Sequence, residues 1–163
     1  MSLPDPNLLP YDQIRQLLLD HFQLMADNET LLLGYMRASN AMAADPEAWA
    51  VLDRHRVEME RWALKLVGFS SESQPLRLVI RAAASGMDQL SVRWLQEGRI
   101  QKIEVLIEAT IELIIGGFRA ATKFDPTLDV ETGIRLLSER GSYSDRTKRA
   151  ASPTIKRERA KSG

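Results

Sequence analysis

Residues 76–122 read LRLVIRAAASGMDQLSVRWLQEGRIQKIEVLIEATIELIIGGFRAAT, and this stretch decides the fold. In its first half Leu78, Val79, Ala82, Ala83, Gly86, Leu90 and Trp94 recur at three- and four-residue spacing, the period of a helix buried on one side. Pro75 suits the first turn of that helix and Gly98 closes it. The second half, Ile100 to about Thr122, is apolar around more than half its circumference, more than a single packing contact needs. Only Glu97-Gly98-Arg99 separates the two predicted helices, so they are expected to lie antiparallel as neighbours.

Upstream, the same periodicity predicts three more helices. One covers about Tyr11 to Ala26, with Ile14, Leu17, Leu18, His21, Phe22 and Met25 on one stripe. Another, about Glu29 to Ala44, takes Asn28 as its N-cap. The next has the clearest start, Asp45 as cap and Pro46 at the first helical position, and is stopped by Gly68. Downstream, Asp125-Pro126 repeats that signal and predicts a short helix within residues 123–141. No alternating strand pattern or hairpin turn is present, so the fold class is all-α. The expected organisation is an N-terminal extension over 1–10, a helical domain over 11–122, the short helix, and a basic disordered tail over 142–163.

Small residues point to self-association. Gly inside a helix costs about 0.5–1 kcal/mol relative to Ala, and Gly86, Gly116 and Gly117 suggest close approach of backbones in return. With the surplus apolar face, they predict a homodimer in which the two long helices form an intermolecular four-helix bundle. The expected interface residues are Ala83, Gly86, Leu90, Trp94, Ile107, Ile111, Ile114 and Phe118. The competing reading has both faces covered within one chain, with Gly116-Gly117 marking a helix end.

Acidic and basic residues balance at 22 each, so no whole-chain field attracts nucleic acid or anionic lipid. The charge is uneven, since from Gly141 onward seven basic side chains meet two acidic ones. That tail suits a solubilising terminus or a weak, salt-sensitive phosphate contact. With no Cys, thiolate metal sites, disulfides and Cys nucleophiles are excluded. No signal peptide is visible, and Lys102, Glu104, Glu108 and Glu112 break up the most apolar run, so a cytoplasmic protein off the membrane is expected. No nucleophile elbow, phosphate loop or zinc-protease motif occurs, and with two His a metal site is not expected. The expectation is a protein that is not an enzyme and carries no cofactor.

The run Arg81-Ala82-Ala83-Ala84-Ser85-Gly86-Met87-Asp88-Gln89-Leu90, then Val92-Arg93-Trp94-Leu95, a turn, and Ile103 to Phe118 ending Gly-Gly-Phe resembles the C-terminal regulatory domain of TetR-family transcriptional repressors. Arg56 to Gly68 is similar to the helix before it in that family. The resemblance spans about Tyr11 to Thr122 and implies an all-helical bundle, a homodimer through the last two long helices and a ligand cavity among the earlier ones. It departs from the family in one respect: only Met1 to Pro10 precede the first helix, and the DNA-reading helix-turn-helix is absent from these residues.

For a small apolar effector the expected lining is His21, Phe22, Met25, Tyr35, Met36, Met59, Trp62 and Met87, with Met42 and Trp49 as further material. His21 reads either as an effector or pH-sensitive contact or as a satisfied core residue. The function so implied is effector-controlled repression, with DNA bound only through a separate reader. A stand-alone helical interaction module is the alternative.

Overall fold

The computed structural model describes residues 3–30 and 46–140, with backbone alone for 46–53 and 55. Of the expected helix over 29–44 only Glu29 and Thr30, both helical, are described; the rest of it, the side chains of Tyr35, Met36, Met42 and Trp49, and the tail over 142–163 lie outside the described residues. Among the described residues the chain is all-helical, without strands: α1 (Pro10–Asp27), α2 (Pro46–Leu66), α3 (Gln74–Gln96), α4 (Ile103–Ala121) and α5 (Glu131–Ser138).

The hairpin forms as the spacing predicts, and its turn has a definite chemistry. Gly98 N–H donates to Leu95 O at 3.1 Å and Arg99 N–H to Trp94 O at 2.9 Å, the paired bonds of a Schellman ending. Gly98 and Arg99 both take positive φ, 76° and 60°. Two left-handed residues in succession carry the chain off the helix axis, so the break runs from 97 to 102 and α4 starts at Ile103 rather than Ile100. The Trp94 indole N–H then donates to Gln101 O at 2.8 Å and pins the turn. The end of α2 repeats the device, with Phe69 N–H on Leu64 O at 2.9 Å around Gly68 at φ 79°.

Asn28 closes the helix before it, its side-chain amide donating to Leu24 O at 2.9 Å, and the helix it is expected to cap runs on beyond Thr30, outside the described residues. One cap assignment changes. Asp125 caps no helix; its carboxylate accepts from the Thr127 backbone and hydroxyl at 3.0 and 2.6 Å, which closes a local turn. The last helix accordingly starts at Glu131, beside an Asp129 oxygen that accepts its N–H at 3.2 Å.

The core sits against the inner side of the hairpin. Tyr11, Ile14, Leu18 and Phe22 of α1 meet Leu76, Val79, Ile80, Trp94 and Leu95 of α3 and Leu106, Ile107, Ile111, Ile115 and Phe118 of α4, with Leu64, Val67, Val130, Ile134 and Leu137 closing the ends. Gly117 faces Val79 so closely that a Cβ there would lie 3.4 Å from the valine Cβ. This glycine lies inside α4 and fits the two long helices together, so the pair Gly116-Gly117 does not mark a helix end.

Gly133 plays the same part for α5, because the Phe69 ring occupies the space a side chain would take and itself packs edge-on to Phe118 at 5.0 Å. Gly133→Ala should therefore destabilise by about 1–3 kcal/mol, overpacking outweighing the ~0.5–1 kcal/mol of added helix propensity. A thermal melt showing an unchanged or raised Tm would refute this account of the contact.

Candidate functional site

Three helices bring polar side chains together at one buried centre. His21 points from α1 to α3, where its Nε2 lies 3.2 Å from Ser91 Oγ and 3.9 Å from an Asp88 carboxylate oxygen. The other Asp88 oxygen accepts from Arg56 of α2 at 3.1 Å. Asp88 and Ser91 are three residues apart and so share one face of α3. His21 and Ser91 are buried, whereas Arg56 and Asp88 are half-exposed and connect the centre to solvent.

The types Ser, His and Asp invite comparison with a nucleophilic triad, and the geometry does not make one. A general base needs one ring nitrogen on the nucleophile and the other on the carboxylate. Here both approach Nε2, and the Ser91 hydroxyl donates to Met87 O at 2.9 Å, the bond of a serine turned back onto its own helix. The centre orients and joins groups; it does not activate an attacking oxygen.

The expected effector lining divides. His21 is at the centre, and the backbone carbonyl of Met87 accepts from the Ser91 hydroxyl there. Met25, Trp62 and Met87 are half-buried against the core, and Met59 is half-buried on α2. Phe22 is wholly buried, edge-on to both His21 at 5.6 Å and Trp94 at 6.2 Å. Tyr35 and Met36 lie outside the described residues.

The expected interface divides as well. Trp94, Ile107, Ile111 and Phe118 are buried within their own chain. An α4 that is apolar around more than half its circumference does not tell which side its own chain covers. Ala83 and Gly86 instead line an open apolar groove of about 270 Å³ between the long helices, together with Val79, Ala82, Leu113, Gly117 and Ala120. Leu90 and Ile114 are half-buried against the core. Leu113 is 51 % exposed, Leu78 55 % and Val105 52 %, so the outer side of the hairpin presents large apolar side chains to water.

Two further clusters escaped the sequence reading. Glu60 of α2 is 4 % exposed and accepts from Arg81 Nε at 2.6 Å, with Arg77 Nε at 3.9 Å, which ties α2 to α3 and makes Arg81 a structural cation. Glu108 accepts from the Tyr11 hydroxyl at 2.7 Å and from Arg140 at 3.0 Å, joining α1, α4 and the end of α5. Burial, then the adjoining Glu108 carboxylate, pushes the Tyr11 phenol up to about 12. An Arg or Glu in a polar stretch carries no signal of its partner in another helix. Among the described residues no His/Asp/Glu group has the arrangement of a metal site, and no helix is long and apolar enough to cross a membrane.

Burial pushes the His21 imidazole below the usual histidine value, and Asp88 opposes the shift only in part. Because the folded value lies below the unfolded one, the unfolded chain takes up the proton first as pH falls. The stability held by neutral His21 is complete above about pH 6.5 and drains as pH drops below it. Urea midpoints should therefore fall between pH 7 and pH 5, and His21→Gln should flatten that fall; parallel profiles for the two proteins would rule the effect out.

No protein-family model, curated protein or solved structure matches this chain.

Proposed function

We propose that this chain is the effector-binding and dimerisation domain of a TetR-like transcriptional repressor, a cytoplasmic, non-enzymatic module that pairs with a second copy and holds a small apolar ligand. One observation carries the reading: an apolar groove with exposed leucines runs along the outer side of a helical hairpin whose inner side is already full. A helix that belongs to a monomer turns polar side chains to water on its free side. Here the free side of the hairpin offers Leu78, Ala82, Val105, Ala109, Leu113, Gly116 and Ala120, all exposed.

The effector half of the proposal rests on the centre around His21. An apolar ligand needs a few polar groups that fix its orientation among thioether and aromatic side chains. His21, Ser91 and Asp88 are such groups, and Met25, Met59, Trp62 and Met87 are the adaptable material. The ligand would act by changing the relation of α1, α2 and α3, which that centre joins. DNA would be read by a helix-turn-helix outside these residues. By linkage, an effector that weakens operator binding is bound less tightly by the operator-bound form.

Light scattering at micromolar concentration should give twice the 18.4 kDa chain mass. Leu113→Asp, which places a charge on the groove, should raise the dimer Kd at least tenfold, about 1.4 kcal/mol or more. A wild-type monomer under those conditions would end the dimer proposal. Thermal-shift screening of apolar compounds should find ligands that raise Tm, with His21→Ala reducing the response; a screen in which no compound shifts Tm argues against the effector role.

A further inference from the structure

We propose that the second copy docks through α4 itself, antiparallel to its twin and crossing it at Gly116, with Glu112 of each chain opposite Arg119 of the other; this rests on the dimer reading above and specifies its register. The first observation is Gly116. It sits in the interior of a 19-residue helix, where glycine is unfavourable. Among the described residues, outside its own helical turn, nothing lies within 4 Å of where its side chain would stand. Its neighbour Gly117 has an internal reason to be small, the close approach of Val79, and among the described residues Gly116 has none. A bare backbone facing open space in mid-helix is what a second backbone crossing there requires.

The second observation is the pattern on either side of it. With 3.6 residues per turn, Val105 and Ala109 fall within about 20° of the Gly116 direction. Leu113 and Ala120 fall about 40–60° to the side that faces the groove, and Glu112 and Arg119 about as far to the other side. All six are exposed. A two-fold axis through the Gly116 crossing reverses the partner helix while keeping each flank on its own side. Along the axis Glu112 lies about 6 Å before the crossing and the partner's Arg119 about 4.5 Å before it, on the same flank. On the opposite flank the same operation sets the large Leu113 against the small Ala120. Charge thus meets opposite charge twice and bulk meets space twice, about a centre with no side chain. Among the described residues neither the Glu112 carboxylate nor the Arg119 guanidinium has an ion-pair or hydrogen-bond partner; Arg119 engages only through its backbone carbonyl, which accepts from the Thr122 hydroxyl at 2.8 Å.

Charge exchange tests the register. Glu112→Arg alone and Arg119→Glu alone each set like charges opposite one another and should raise the dimer Kd about tenfold or more at low salt, with circular dichroism unchanged. Mixed in equal amounts, the two variants should form a heterodimer, since each then supplies the charge the other lacks. Gly116→Leu, which the open space lets the folded chain accept, should yield a folded monomer. If the wild type is a dimer that all three substitutions leave intact, this register is wrong and the dimer reading stands on another face. If the wild type is a monomer, both fall.

Discussion

The packing of α3 against α4 is the constraint on which everything else depends. Gly117 lets Val79 close to van der Waals contact, and the Schellman turn with the Trp94 indole bond holds the two helices antiparallel. That contact creates two surfaces with different fates. The inner one, with Ile107, Ile111, Ile115 and Phe118, is large enough to receive α1, the end of α2 and α5. The outer one keeps its leucines in water. Hydrophobic burial scales with area removed from water, at roughly 25 cal/mol per Å², so an apolar surface left open is free energy still available to an association.

Around the hairpin, charged groups act as joints between helices. Glu60 with Arg81 ties α2 to α3, Glu108 with Tyr11 and Arg140 ties α4 to α1 and the end of α5, and Asp88 with Arg56 and His21 ties three helices at one point. A buried ionic group adds little net stability, because desolvation offsets much of the attraction, but a single lost partner is costly. Such joints therefore specify how helices sit more than how tightly they are held. At the Asp88 joint Arg56 and Asp88 are half-exposed, while His21 is buried and neutral above its lowered pKa.

Much of this was legible in the residues. Helical spacing located the long helices, Pro46, Pro75, Gly68 and Gly98 marked their ends, and the short break that begins at Glu97 made the hairpin pair antiparallel. Position along a helix is a local property, set by caps and period. Which side of an apolar helix is covered is not local. Ile107, Ile111 and Phe118 look no different in the sequence from Leu113, and only the placement of α1 and α5 puts the first three inside and leaves the last in water. Cap assignment failed at Asp125, because one residue type serves both helix starts and turns, and here the carboxylate is taken by Thr127. Likewise His21 was visible on an apolar stripe, but its partner Ser91, seventy residues away, carried no mark in a helix of mixed composition.

For the proposed regulatory role, α3 is the element that both sites would bias. Asp88 and Ser91 lie on one side of it, and at about 100° per residue Val79, Ala82, Ala83 and Gly86 fall on the opposite side. A side chain or ligand that pushes α3 at Asp88 has to displace the groove lining by a similar amount, because a packed helix moves as a body. Val79 against Gly117 passes the movement on to α4, where the space between the two backbones is already filled and cannot absorb it. Coupling of this kind needs no special pathway, only a rigid element with a different surface on each side. Its strength would be set by how differently the ligand contacts the two positions of α3, since a ligand indifferent to that choice shifts nothing. The joint at Asp88 and the incompletely covered hairpin are thus two faces of one helix, and the sequence Ala82 to Ser91 encodes both within three turns.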